Sequence, residues 1–324
     1  MVGSALRILG GMRILVAGAT GVIGRPLVRQ LREAGHDVVG TTRSPQRAET
    51  LRALGVKPMV LDVRDTDALR ATVMEAEPEV VINQLTSLPD KINYRKPAET
   101  FDANNELRGT VAPALAGIAA EAGTRRLIAQ SVCFFYASTG KRAHSEDDPL
   151  LELPPEAPMS RGITASVALE RSTLETPGLE GVVLRYGYFY GPEVGSVPGG
   201  FEVDEVRRRR YPIVGDGTGI FSMIHVEDAA SAAVAAVERR ATGIYNVCDD
   251  DPAPLAEWLP ACAEALGAKP PRRVPVWLAN WIAGKQAVGM ATRLEGASNE
   301  KAKRELGWQP KYPSWRQGFS EALG

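Results

Sequence analysis

A chain of 324 residues, 44% hydrophobic and 24% charged with a net charge of −1, can fill one large core or two coupled ones. That near-neutral balance gives no global field for nucleic acid or an anionic membrane, and no apolar stretch reaches the roughly 18 residues of a spanning helix. Three scattered cysteines, Cys133, Cys248 and Cys262, lack metal-ligand spacing and read as reduced thiols in a cytoplasm. Residues 1–11 read as a loose leader without the long apolar core of a signal peptide, with Met12 as an alternative start.

From Met12 onward, strand and helix patterns alternate. Short apolar runs at Arg13–Ala17, Asp37–Thr41, Pro58–Leu61, Val80–Asn83, Leu127–Gln130, Gly181–Arg185 and Tyr245–Val247 read as buried parallel strands. Amphipathic stretches between them, such as Arg25–Ala34, Thr66–Ala76 and Thr110–Ala122, read as helices. Strands joined through helices force right-handed crossovers and predict an α/β fold with a doubly wound parallel sheet. This dinucleotide-binding unit is expected over 12–189, with a returning segment near 225–248. The Pro- and Gly-rich stretches 190–224 and 249–324 are expected to form a smaller substrate-binding lobe.

The first strand runs directly into "GATGVIG", with Gly18, Gly21 and Gly24 at every third position. Such a turn lets a pyrophosphate approach bare backbone and aims the N–H groups and positive dipole end of the next helix at it. Thr20, Val22 and Ile23 complete the cradle. The second strand then decides between cofactors. An NAD-preferring fold commonly ends that strand on Asp or Glu for the ribose 2′-hydroxyl. Here "GTTRSPQRA" puts Arg43 there, a guanidinium suited to a 2′-phosphate. NADP is therefore expected, with NAD as the alternative, and Asp62 and Val63 at the end of the third strand are expected to flank the adenine.

These features, together with "LRYGYFYGP", "VGDGTG", "IHVEDAA", "GIYNVCDD" and "KAKRELGWQP", resemble the extended short-chain dehydrogenase/reductase family, in its epimerase/dehydratase branch. The resemblance covers nearly the whole chain from Met12. It implies that Leu85, Tyr186 and Gly187 line the cofactor, with Tyr186 and Gly187 beside the nicotinamide and Tyr188 facing the substrate. It also implies a Tyr acting as acid/base, a Lys four residues later, and a Ser that orients the substrate oxygen. Aligning the helix "SRGITASVALERSTLE" on Glu170 puts Gly162 at the Tyr position and Ser166 at the Lys position. Neither can transfer the proton. Ser131 is the better candidate for the Ser, although counting from Tyr136 lands on Val132 instead. Thr86, just past the fourth strand, and the phenol of Tyr188 are the remaining candidates for chemistry. Where sugar-nucleotide enzymes of this branch commonly carry an Arg, the chain has Phe221, which argues for a small, apolar substrate.

The expectation is thus an NADP-dependent oxidoreductase acting on a carbonyl or hydroxyl, with an atypical site. A non-redox isomerase, cyclase or lyase, or an NADP-binding sensor, stays open beside it. Ala- and Leu-rich faces on the helices Thr110–Ala122 and Thr164–Glu175 suggest a homodimer. No metal, membrane or nucleic-acid partner is expected.

Overall fold

The structure, a computed structural model, describes residues 11–89, 92–93, 95–157, 159–192, 194 and 203–322. All of the expected leader except Gly11 lies outside the described residues.

Seven parallel strands form the central sheet: β1 (Arg13–Ala17), β2 (Asp37–Thr42), β3 (Lys57–Val60), β4 (Val80–Asn83), β5 (Arg126–Val132), β6 (Glu180–Tyr186) and β7 (Gly243–Val247). Their spatial order is β7-β6-β5-β4-β1-β2-β3, with β1 flanked by β2 on one side and β4 on the other. The winding reverses between β1 and β4. Both neighbouring crossovers leave that point in opposite directions, so a crevice opens at the carboxyl ends of these strands.

Alternation along β1 explains the layers. Ile14 and Val16 face one core with Leu27, Val28 and Leu31 of α1 (Gly24–Glu33), and with Ala229, Ala232, Ala233 and Ala236 of α7 (Val226–Glu238). Leu15 and Ala17 face the other, with Leu69 and Val73 of α3 (Thr66–Ala76) and Leu115 and Ala119 of α5 (Ala112–Glu121). Small alanines on α7 let it lie close beside α1, where Glu227 takes Arg29 (2.6 Å) and Gln30 (2.9 Å). Between β2 and β3 runs α2 (Pro45–Ala53), started by Ser44 as its cap.

The helix expected from Thr110 begins earlier. Its first part is α4 (Pro97–Glu106), and Leu107–Val111 form a widened π turn that runs directly into α5. Pro113 explains the widening, because it has no N–H for the carbonyl of Gly109 and its ring crowds that oxygen. Ala112 N–H reaches back five residues to the Leu107 carbonyl instead. Against this turn lies α6 (Ser160–Glu175), whose buried face includes Gly162, Ser166, Leu169 and Glu170.

A second apolar cluster gathers Tyr190, Ile213, Phe221, Met223, Leu255, Trp258, Leu259, Trp315 and Phe319. Short strand pairs stitch it to the sheet: Tyr188–Tyr190 with Met223–His225, Ile220–Phe221 with Ala253–Pro254, and Ala143–His144 with Gly296–Ala297. The chain therefore returns to the sheet through 225–247 before completing this outer cluster.

Candidate active site

At the end of β1 the backbone turns sharply. Gly18 has φ +88°, and a Cβ there would lie 2.8 Å from the Gln84 carbonyl oxygen. A Cβ on Gly24 would lie 2.3 Å from the Gly18 carbonyl oxygen, so α1 can start this close to β1 only as glycine. Gly21 N–H donates to the Gly18 carbonyl at 3.0 Å and closes the turn. Ile23, at the cap of α1, offers no side-chain acceptor, and the first turn of the helix holds no acid. The helix end thus presents its N–H groups and dipole to an incoming anion. Val22 and Thr20 flank it, and Thr20 and Thr42 hydroxyls meet at 3.3 Å.

Thr41 accepts from Gly18 N–H at 3.1 Å, which ties the end of β2 to the glycine turn. Arg43 follows, exposed, with no carboxylate partner among the described residues. Asp62 is also exposed and is shared with Arg64 at 3.6 Å, while Val63 is buried. Leu85 is held by the Asn83 side chain through its N–H, and Thr86 next to it is exposed.

Two of the expected positions come out differently. The Tyr186 ring is fully buried in the core beneath α7, where its hydroxyl donates to the Ala229 carbonyl (3.2 Å) and accepts from Gln84 Nε2 (3.4 Å). Its side chain therefore does not line a cofactor. The reason is strand alternation, since Arg185 points toward α6 and Tyr186 toward the opposite layer. Gly187 keeps only backbone roles, donating to the Val247 carbonyl, and a Cβ there would meet the Ser222 carbonyl oxygen at 2.5 Å. The second difference is Ser131. Its hydroxyl donates to Glu170 at 2.6 Å, and that carboxylate is also forked by Arg185 at 2.9 and 2.6 Å. Arg185 in turn donates to Tyr136, which donates to Asn246 at 2.7 Å. Burial alone would lower the guanidinium pKa of Arg185, but the Glu170 contacts override it and the net shift is upward. Ser131 is committed to this buried chain rather than aimed at a substrate oxygen.

On α6, Gly162 is buried, and a Cβ there would make ordinary contacts with Asn105 Oδ1 at 3.5 Å and Met159 Cε at 3.9 Å. Ser166 donates to the Gly162 carbonyl (2.9 Å) and accepts from the Arg108 guanidinium (2.8 Å). Arg108 sits on the π turn, and sequence reasoning does not single it out. A signal is nonetheless present: in "LRGTVAPALAGIAA" a guanidinium occupies the helical stripe completed by Ala112, Leu115 and Ala119, all buried.

Beyond β5 and β6 the aromatic rings form a group of their own. Tyr188 stacks on Phe134 with centroids 4.6 Å apart and tilts against Phe221 at 4.9 Å, and Phe221 meets Trp258 at 5.3 Å. Cys133, beside Phe134, is buried and its thiol pushed up to about 12 by that burial, so it holds no thiolate. His144 is clamped between Asp148 (3.1 Å) and Glu295 (2.8 Å) and fully buried. His225 is lowered to about 4 by burial and caps α7. Among the described residues no three His, Cys, Asp or Glu side chains group as a metal site.

The sequence model of the NAD dependent epimerase/dehydratase family matches residues 14–248. The chain belongs to that family. Within it, the chain is 42% identical over 308 residues to the 3-diazoavenalumate denitrifying reductase of a Streptomyces species, covering 95% of this chain and 99% of that protein. Its fold is shared by UDP-glucose 4-epimerase of Thermotoga maritima, solved with UDP-glucose, at 22% identity and a TM-score of 0.76, over 96% of this chain and 97% of that one. It is shared too by the UDP-glucose 4-epimerase of Thermus thermophilus, solved with NAD, at 24% identity and a TM-score of 0.74, covering 96% and 98%. Among the described residues no helix is long and apolar enough to cross a membrane.

Proposed function

We propose that this family member is a nicotinamide-dependent reductase that delivers hydride to an electrophilic carbon without a side-chain proton donor. The observation carrying the reading is the pair Gly162 and Ser166, which leaves no acid where the family's Tyr and Lys would stand. Ser131 adds to it, since its hydroxyl is tied to Glu170. A carbonyl needs a proton as it becomes an alcohol. A carbon bearing a diazo group in its diazonium form does not. The relative named for reductive removal of nitrogen from a diazo compound points the same way.

The residues at the crevice fit the cofactor, because the Gly18–Gly24 turn has the open backbone and helix end that a pyrophosphate requires. When bound, a reduced nicotinamide would supply the hydride to replace nitrogen on carbon, with N2 leaving with the C–N bonding pair and no proton needed. Arg43 selects NADP over NAD through a charge-assisted contact to the 2′-phosphate. Asp62, Val63, Leu85 and the backbone of Gly187 line the remainder of the cofactor. Phe134, Tyr188 and Phe221 hold a flat, conjugated substrate by stacking and keep water off the reacting carbon. Thr86 stands at the mouth and orients the substrate rather than donating a proton.

Free, buried Cys133, Cys248 and Cys262 support a cytoplasmic location for this chemistry. The proposed homodimer uses the outward side of α6, where Val167 is exposed between Thr164 and Arg171. Light scattering at micromolar concentration should then give twice the chain mass. For the reaction itself, NADPH oxidation is assayed with an arenediazonium ion while evolved nitrogen is measured. One N2 per NADPH supports the proposal. Conversion of the substrate with the cofactor unchanged would replace it with a non-redox reaction.

A further inference from the structure

Among the described residues Arg108 has one hydrogen-bond partner, the hydroxyl of Ser166, and an exposure of only 7%. The carboxylate that feels its charge, Glu170, is already taken by Arg185 and Ser131. A guanidinium carries five N–H donors in a fixed fork, and burying it without a counter-charge is costly. Burial lowers its pKa to about 10, which still leaves it charged at neutral pH. Such a cation is stable where an anion arrives. It also stands on the π turn, a rare helical irregularity often found at working positions.

Both anionic parts of the cofactor have their own receptors, the helix end at Gly18–Gly24 for the pyrophosphate and Arg43 for the 2′-phosphate. The anion for Arg108 must therefore come from the second ligand. The α6 side chains beside Arg108 are small: Gly162, at the place of the family's acid, has none, and Ser166, which Arg108 holds at 2.8 Å, ends in a single hydroxyl. We infer that Arg108 anchors a carboxylate of the substrate, which makes the substrate a planar, conjugated anion whose rings or double bonds lie on Phe134 and Tyr188. This deepens the reductase reading by fixing the charge of its substrate. In this chain the small residues on α6 do two things at once. They leave out the proton donor and set a cation from the neighbouring helix beside its place.

The test is a binding measurement, independent of turnover. Cinnamate, a planar carboxylate, and cinnamamide, its neutral isostere, are titrated into the NADP⁺-loaded protein by calorimetry. The wild type should bind cinnamate at least tenfold more tightly than the amide, and Arg108→Met should bind the two equally. Gly162→Leu, which adds bulk beside Ser166 without removing the Arg108 guanidinium, should lose cinnamate while keeping NADP⁺; it also serves if Arg108→Met fails to fold. Cinnamate held as tightly by either variant as by the wild type overturns the assignment, as does a wild type without preference for the carboxylate. Should the preference depend on Arg108 in a protein that reduces no diazonium ion, the reductase reading falls and the anchor stands.

Discussion

The two sides of the crevice obey the same fold under different constraints. On the β1–β2 side Gly18 turns, Gly24 admits the helix, and Arg43 stands exposed at the end of β2. On the α4–α6 side the backbone is kept while the side chains are exchanged. On the proposed reading, Gly162 and Ser166 stand where the family's acid and its partner would be, and the Arg108 guanidinium of the π turn donates to Ser166. Backbone geometry at the glycine turn is fixed by steric contacts that tolerate no side chain at all. Chemistry at α6 is fixed only by which side chains reach the crevice, so it can be rewritten without disturbing a strand. On the proposed reading, a cofactor cradle persists under a changed reaction.

The largest effect should come from the constrained side. Gly24→Val places carbon against the Gly18 carbonyl and should abolish cofactor binding, at least a hundredfold by fluorescence titration; near-normal affinity would mean that the turn is not the cradle. Next comes the buried chain beneath α6. Glu170→Ala strands Arg185 without a counter-charge and should cost about 3–5 kcal/mol of stability in denaturant unfolding, typical for half of a buried ion pair. A loss under about 1 kcal/mol would show that the network is a bystander. Arg43→Ala should weaken NADPH roughly tenfold or more while leaving NADH alone, since a charged hydrogen bond contributes about 1.5–3 kcal/mol. Unchanged preference would remove the NADP assignment.

Acid sensitivity sharpens the comparison further. His225 is neutral and lowered to about 4 by burial, whereas the unfolded chain binds its proton near 6.5. The unfolded state thus holds more protons between these values. The contribution of His225 to stability is complete above pH 6.5 and falls as pH drops toward 4. His225→Gln should flatten that decline; an unaltered slope would place the acid-labile group elsewhere. The smallest effect is expected at Gly162→Ala, where the new methyl meets only Asn105 and Met159. Turnover should stay within about threefold, because no proton passes through this position, far from the roughly 10²–10⁴-fold of a lost acid or base.

The layer order and the glycine turn are legible in the sequence because they follow from local pattern: continuous apolar runs such as "RILVA" between amphipathic stretches, and glycine spacing. The Tyr186 side chain is not, because the motif "RYGYFYGP" reveals that its tyrosines alternate but not which face each takes; that depends on α7 and the Ala229 carbonyl. Ser131 looks free in the sequence because Glu170 lies 39 residues away and meets it only through α6. Arg108 escapes notice for a related reason. Its partner is 58 residues distant, and the π turn that presents it depends on Pro113, whose effect reaches backward along the helix.

The central claim is hydride delivery to carbon with no side-chain acid. The most direct test is a single turnover in H2O with NADPH deuterated at the transferred position and an arenediazonium carboxylate as substrate, run with wild type and Tyr188→Phe. The account expects one deuterium on the carbon that lost nitrogen and one N2 released. It expects Tyr188→Phe to turn over within about threefold of wild type. A product without deuterium, or a Tyr188→Phe protein slowed by the roughly 10²–10⁴-fold of a missing acid, would contradict it.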